Sequence, residues 1–193
     1  MRYSIVTILA ITMGCLIHAD TAHAGDGPVF EWQEAGWRLE LSALTGLDSG
    51  RRDRVGDVTG SIVLDYEMPF ASDAALLDRS TLSFRLRPFM SYYQDDGDDE
   101  NIFAAGAGLA YRIYQHKETK SGFFVEGAIE LLGQTGKFEG NSGSFNFLDQ
   151  IGIGYQSEKR WFATIRFQHA SNGGLASDNS GVNTVGVAAG LRF

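Results

Sequence analysis

The sequence predicts an all-β protein, an eight-stranded antiparallel transmembrane β-barrel. Three observations support this fold class. Apolar and polar residues alternate with a period of two over almost all of the chain after residue 24, which is typical of strands. Gly occurs 24 times and Pro only 3 times, and each interior Gly weakens a helix by about 1 kcal/mol. No later apolar run approaches the roughly 18 residues that a membrane helix needs, so a membrane-spanning form of the chain must cross with strands.

The first four predicted strands are separated by turn-rich stretches and carry an apolar residue at every second position. They cover residues 37–43, 61–66, 82–92 and 103–113, with apolar alternation that begins at Trp37, Ile62, Leu82 and Phe103.

The last four predicted strands follow the same pattern. They cover residues 125–131, 145–155, 161–168 and 184–193, with apolar alternation that begins at Val125, Phe145, Trp161 and Val185. Eight strands of about ten residues each match the length that a tilted strand needs to cross a bilayer.

The second face of these strands carries Gly, small polar residues and charges. A soluble sandwich would instead bury its apolar face and scatter charges over strands and loops alike. Arginines and acids that share one face predict a paired polar interior, with the apolar face turned to lipid. These residues are Arg38, Arg85, Arg87, Arg112, Arg166, Arg192, Glu40, Asp65, Glu126 and Glu130.

Residues 1–24 have the organisation of a secretory signal peptide. Arg2 precedes an apolar stretch over 5–17, and Ala22-His23-Ala24 is a small-x-small cleavage site. We therefore expect residues 25–193 to form a single outer-membrane barrel domain in a Gram-negative cell. Cleavage removes the only cysteine, so neither a disulfide framework nor a cysteine nucleophile is expected. A last strand that ends in Phe193 resembles the C-terminal signal of bacterial outer-membrane proteins.

The charge balance excludes one class of partner. The chain has 24 acidic and 16 basic residues and a net charge of −8, which argues against nucleic acid.

The apolar stripe of the seventh strand is interrupted by His169 and Ser171, which share its outward parity. Polar residues on a lipid-facing stripe cost free energy and favour a functional explanation. On the eighth strand Asn183 has the same outward parity as Val185. The alternative is that these three residues are only interfacial polar positions at strand ends.

Together the three side chains can perform ester hydrolysis. His169 can take the proton of Ser171, which makes Ser171 a nucleophile. Asn183 can orient the imidazole through its other ring nitrogen. The backbone N–H groups of Asn172, Gly173 and Gly174 could stabilise the oxyanion. Asp149, on the outward parity of the sixth strand, is a second candidate to orient His169.

The segment around these residues resembles the lipid A 3-O-deacylase (PagL) family of acyloxyacyl hydrolase-like barrels. The resemblance is carried by Gln168-His169-Ala170-Ser171-Asn172-Gly173-Gly174-Leu175 and Asn179-Ser180-Gly181-Val182-Asn183, and by the terminal strand. It implies an eight-stranded outer-membrane barrel that removes the 3-position acyl chain of lipid A with a Ser-His-acid triad and no metal.

By this match His169 is the base and Ser171 the nucleophile. Where the best-known form of the family has Glu, this chain has Asn183. His-x-Ser followed by Asn also resembles outer-membrane phospholipase A, whose twelve strands and calcium-dependent dimer need a longer chain. That family shows that Asn can complete such a triad.

The resulting hypothesis is an outer-membrane ester hydrolase that modifies lipopolysaccharide by removing an acyl chain from lipid A. Its catalytic residues would be His169, Ser171 and Asn183, with Asn172 and Gly174 binding the oxyanion or substrate. No cofactor and no metal are expected. Lipid A in the outer membrane is the expected partner, and a homodimer stays open. The alternatives are a phospholipase-type esterase and a non-enzymatic barrel for adhesion or envelope stability.

Overall fold

The computed structural model describes residues 31–32, 35–48, 53–71, 74–95 and 101–193. The predicted signal peptide at 1–24, and the first residues of the predicted domain 25–193, lie outside the described residues. A short strand, β1 (Glu31–Trp32), precedes the barrel, and a 3₁₀ helix (Leu77–Arg79) lies between its second and third strands. No helix within the described ranges is long and apolar enough to cross a membrane.

Eight long strands form the barrel, as predicted. They are β2 (Gly36–Gly46), β3 (Val58–Ala71), β4 (Ser80–Tyr93), β5 (Asn101–His116), β6 (Ser121–Gln134), β7 (Phe145–Gln156), β8 (Trp161–Ser171) and β9 (Val182–Arg192). Each pairs antiparallel with its neighbours along the chain, and β2 pairs with β9 to close the sheet. Closure leaves no unpaired edge among these eight strands. A strand in lipid must have all its backbone groups paired, because no water is present there to form hydrogen bonds with them.

Several strands extend beyond their predicted ends. The second predicted strand covered 61–66, whereas β3 runs from Val58 to Ala71. Its alternation continues past residue 66 with Glu67, which is buried, and Pro69, which pairs with Thr81. Acidic residues and Pro are depleted in strands, so residue type hides this continuation.

The two faces of the barrel have the predicted polarity. Outward apolar side chains are widely exposed, for example Leu41 at 61% and Ile165 at 62%. Inward charged side chains such as Arg112 and Glu126 are buried. The sheet therefore presents its apolar side outward and its charged side to the lumen, as expected for a membrane barrel.

The predicted polar interior is a network of buried ion pairs in the middle of the lumen. Arg85 Nε lies 2.8 Å from Asp65 Oδ1, and Arg87 Nη2 lies 2.7 Å from Glu130 Oε1. Arg166 binds Glu40 through both carboxylate oxygens. Pairing is required here because an isolated buried charge costs several kcal/mol.

Apolar clusters lie on both sides of this charged layer. At one end Tyr114, Phe124 and Phe162 pack together, and the Arg38 guanidinium lies 3.8 Å from the centre of the Phe162 ring. At the other end a larger cluster includes Phe138, whose ring centre is 4.9 Å from that of Tyr92. We call this second end the loop-cluster end. It carries the connections 135–144 and 172–181, and the described residues 47–48, 53–57 and 94–95 of two other connections.

Candidate active site

His169, Ser171 and Asn183 lie together on the outer wall at the loop-cluster end. His169 and Ser171 are in the last three residues of β8, and Asn183 is the second residue of β9. The Cα atoms of His169 and Asn183 are register partners across the β8–β9 pair. All three side chains are half-buried, and the inward neighbours Ala170 and Val182 belong to the apolar cluster behind them.

The His169 imidazole is oriented by Asn183. The distance between His169 Nδ1 and Asn183 Oδ1 is 2.7 Å. An amide oxygen only accepts, so this hydrogen bond requires Nδ1 to carry a proton. The neutral imidazole then has its lone pair on Nε2, which is the form that a general base needs.

Ser171 follows His169 on the same face of β8. Residues i and i+2 of a strand lie about 6.6 Å apart, so the two side chains are neighbours. No hydrogen bond joins the Ser171 hydroxyl to His169 within the described part of the chain. Catalytic hydrogen bonds are often long without substrate and shorten when it binds, so the placement is compatible with a nucleophile and its base.

Gly181 limits the space beside the imidazole. Its φ is +69°, and a Cβ at this position would lie 2.8 Å from His169 Cε1. A larger residue would strain the backbone and displace the ring. Gly181 was not among the predicted site residues, although a Gly two residues before Asn183 in a turn was the available signal.

Asp149, the alternative orienting residue, lies on the opposite side of His169. It is the register partner of His169 across the β7–β8 pair, so Asp149, His169 and Asn183 form one row over three strands. Asp149 is only 3% exposed, and its Oδ1 has no hydrogen-bond partner among the described residues. The imidazole donates its hydrogen bond to Asn183 and not to Asp149.

The backbone N–H groups after Ser171 are mostly occupied. The N–H of Asn172 donates to Asn179 Oδ1, and that of Gly174 donates to Asn172 Oδ1. The N–H of Leu175 donates to the Asn172 carbonyl oxygen. Within 172–175, Gly173 has the one N–H that makes no hydrogen bond to a described residue. The predicted oxyanion role of Asn172 and Gly174 stays a prediction, and their N–H groups would first have to leave these partners.

An apolar furrow runs over the outer wall on the lipid-facing side of the same strands. Its volume is about 720 Å³. Tyr155, Ala163, Ala189 and Leu41 are successive register partners across four strands, so two small side chains lie between two large ones. Ile165, the furrow residue of β8 nearest to the site, is four residues from His169, or about 13 Å at the rise of a strand. The furrow thus begins within the length of a long acyl chain from the site.

A metal site in the described part of the chain would need several acidic, histidine or cysteine side chains close together. No group of three or more such residues within the described ranges is placed to hold a metal ion.

Comparisons with known proteins show which families and structures the chain is similar to. A family model described as "Lipid A 3-O-deacylase (PagL)" matches residues 27–192. The crystal structure of the outer membrane enzyme PagL is similar with a TM-score of 0.56 and 16% identity, over 82% of this chain and 99% of that one. The Yersinia pestis outer membrane protein Ail in a phospholipid bilayer nanodisc has a TM-score of 0.47 and 11% identity, over 83% and 100% of the two chains. OprG from Pseudomonas aeruginosa has a TM-score of 0.46 and 14% identity, over 84% and 97%. No curated protein matches the sequence significantly.

Proposed function

Because the chain belongs to the lipid A 3-O-deacylase (PagL) family, we propose that Ser171, His169 and Asn183 are the residues that perform its ester hydrolysis. The protein is an outer-membrane β-barrel enzyme, a carboxylic ester hydrolase that acts on lipid A. The observation that supports the proposed residues best is the 2.7 Å hydrogen bond that orients His169 on the outer wall. A lipid substrate reaches this wall from within the membrane.

The proposed reaction has two steps. In the first, His169 Nε2 takes the Ser171 proton as Ser171 Oγ attacks the carbonyl carbon of the acyl ester. The tetrahedral intermediate collapses when the imidazolium returns that proton to the leaving sugar oxygen, which leaves an acyl-enzyme. In the second step His169 removes a proton from water as the water attacks the acyl-enzyme. The imidazolium then returns that proton to Ser171 Oγ as the fatty acid is released, which restores both residues.

Asn183 would stabilise this cycle by holding the Nδ1–H tautomer throughout. A neutral amide cannot offset the imidazolium charge as a carboxylate does, but its oxygen still accepts the Nδ1 proton. Gly173 is the proposed oxyanion donor because its N–H has no other partner among the described residues of this loop. Asn172 and Gly174 would then shape the turn, with their own N–H groups held by side chains.

The apolar furrow is the proposed binding site for the acyl chain. It lies on the same wall as His169 and is lined mostly by apolar side chains, so it suits an acyl chain better than a sugar or a phosphate. The acyl chain passes from one apolar environment, the bilayer, to another, so the furrow would orient the chain by packing contacts and would add little binding free energy.

Mass spectrometry of lipid A from cells with and without the protein tests the function. We expect loss of the 3-position acyl chain when the protein is expressed. An unchanged acylation pattern, with the barrel folded in the outer membrane, would contradict the proposal. Release of fatty acid from phospholipid vesicles, with none from lipid A, would favour the phospholipase alternative.

Asn183→Leu is expected to lower kcat about 100-fold, since it removes the acceptor for Nδ1–H and frees the imidazole to change tautomer. Asn183→Asp is the matched variant, because it keeps an acceptor oxygen at the same place and adds charge beside the imidazolium. Its kcat should fall far less. Equal losses for both variants, measured on purified lipid A in detergent micelles, would remove Asn183 from the proposed triad.

A homodimer, which the sequence leaves open, would not be needed to complete this site. His169, Ser171 and Asn183 lie on neighbouring strands of one chain. Light scattering of the protein in detergent measures the protein mass, and a mass of one chain at full activity would contradict a required dimer.

A further inference from the structure

The loop that follows Ser171 is bound to the neighbouring loop at the same end of the barrel. Residues 172–181 and 135–144 are joined by an isolated β-bridge between Asn141 and Asn179. The N–H of Ser180 donates to the Gly140 carbonyl oxygen at 2.8 Å, and that of Ser142 donates to the Asp178 carbonyl oxygen at 3.0 Å. The segment that carries the proposed oxyanion donor is therefore held from outside its own strand pair.

The Asn141 side chain lies at the centre of this contact and is 3% exposed. Its Oδ1 accepts hydrogen bonds from Asn172 Nδ2 at 2.8 Å and from the N–H of Gly143 at 3.2 Å. Its Nδ2 donates to Asn146 Oδ1 at 2.6 Å. One buried amide thus connects the start of β7, the neighbouring loop and the residue directly after Ser171.

The partner of Asn141, Asn172, in turn sets the backbone of the glycine pair. Asn172 Nδ2 also donates to the Asp178 carbonyl oxygen at 2.8 Å, and its Oδ1 accepts the N–H of Gly174 at 2.9 Å. Gly173 and Gly174 have φ values of +64° and +84°, a conformation that is readily lost if nothing holds it. The direction of the Gly173 N–H therefore depends on the Asn172 side chain.

We propose that Asn141 is a positioning residue of this active site, which holds Asn172 and through it the Gly173 N–H that receives the oxyanion. The proposal rests on the proposed function of Ser171. Donors that are already oriented stabilise a transition state because they need no rearrangement as charge develops. Asn141 itself is buried, and its side chain makes no hydrogen bond to His169 or Ser171 among the described residues.

This role predicts a selective kinetic effect. The oxyanion exists only in the transition state and the intermediate, so a misplaced donor lowers kcat and leaves the binding of ground-state lipid almost unchanged. Asn141→Leu should lower kcat about 10- to 100-fold, with KM changed less than about threefold. The rate at which a fluorophosphonate probe labels Ser171 should fall by a similar factor, since its phosphoryl oxygen occupies the same position.

Asn141→Asp is the conservative variant that should recover most of the lost kcat. A carboxylate at this position still accepts from Asn172 Nδ2 and from the Gly143 N–H. The Asn146 amide can turn over to donate to it, since Asn146 Nδ2 is buried without a partner among the described residues. If the Asn141→Leu variant does not fold, Asn141→Ala is a smaller replacement that removes the same hydrogen bonds.

Ser142→Ala is the control for general loosening of the two loops. It removes three hydrogen bonds of the Ser142 hydroxyl, which accepts from the Asp178 N–H and also bonds with Ser177 Oγ and the Asp178 carbonyl oxygen. All three are exposed, so water can replace them. We expect it to keep kcat within about twofold. Folding of every variant is checked by the mobility shift of the heated and unheated barrel in detergent gels.

The outcomes separate the two proposals. A wild-type kcat and labelling rate for folded Asn141→Leu or Asn141→Ala would overturn the role of Asn141, as would an equal loss in Ser142→Ala. A rise in KM without a fall in kcat would overturn it as well. Activity that persists in Ser171→Ala would instead overturn the proposed function.

Discussion

Ser171→Ala is expected to abolish deacylation of lipid A, with kcat lowered on the order of 10⁴- to 10⁶-fold. Without the hydroxyl no acyl-enzyme can form, and His169 has no nucleophile to deprotonate except water. The barrel should fold normally, because Ser171 is half-buried at the end of β8 and its hydroxyl makes no hydrogen bond to a described residue. Lipid A from cells that express this variant should have the same mass spectrum as lipid A from cells without the protein.

Ser144→Ala is the matched control for this experiment. Ser144 is exposed in the neighbouring loop, and its hydroxyl makes no hydrogen bond to a described residue. It should deacylate lipid A at the wild-type rate. Removal of the 3-position chain by folded Ser171→Ala would assign the nucleophile to another residue.

Arg112→Met is expected to lower the free energy of unfolding by about 3–5 kcal/mol, the usual cost of breaking a buried ion pair from one side. Arg112 Nε lies 2.5 Å from Glu126 Oε2, and its Nη2 binds Asp65. Its Nη1 donates to Ser83 Oγ at 2.8 Å and lies 3.5 Å from Glu67 Oε1. Methionine would leave three buried carboxylates with fewer cations, while the apolar outer wall stays unchanged.

Denaturant unfolding of the barrel in lipid vesicles, followed by tryptophan fluorescence, measures this loss. Arg112→Lys should be intermediate, because it keeps the charge and loses the forked geometry that spans several acceptors. Lys159→Met, at an exposed turn, is the control for removal of a positive charge and should change stability by less than about 0.5 kcal/mol. If Lys159→Met lowered the free energy of unfolding as much as Arg112→Met, the loss would come from the change in net charge and not from the buried ion-pair network.

The strand bounds show how far period-two patterning extends. The predicted segment 125–131 is the middle of β6, which the structure extends to Ser121–Gln134. The added residues at its end, such as Gly133 and Gln134, resemble turn residues by type, although they keep their ladder pairing. Strand ends are therefore underestimated, because pairing with neighbours stabilises residues whose own propensity is low.

The alternation of residues along each strand was enough to predict which face of the barrel carries the candidate site. His169, Ser171 and Asn183 were placed on the outer wall because each shares the parity of an apolar stripe. Parity does not distinguish Asn183 from Asp149 as the residue that orients His169, since both lie at outward-facing positions of neighbouring strands. The register makes both of them partners of His169, and the side-chain geometry then gives the hydrogen bond to Asn183.

The sequence by itself determined the all-strand fold, the two faces of the barrel and the outward position of the three site residues. These features depend on alternation between near neighbours in the chain, which the order of the residues shows directly. Only the tertiary structure decided which charges pair across the lumen, as for Arg166 and Glu40, which are 126 residues apart. It also decided that Phe138 packs in the loop-cluster end and that Asn141 holds Asn172. These contacts arise when closure brings distant segments together, and no local pattern in the chain encodes them.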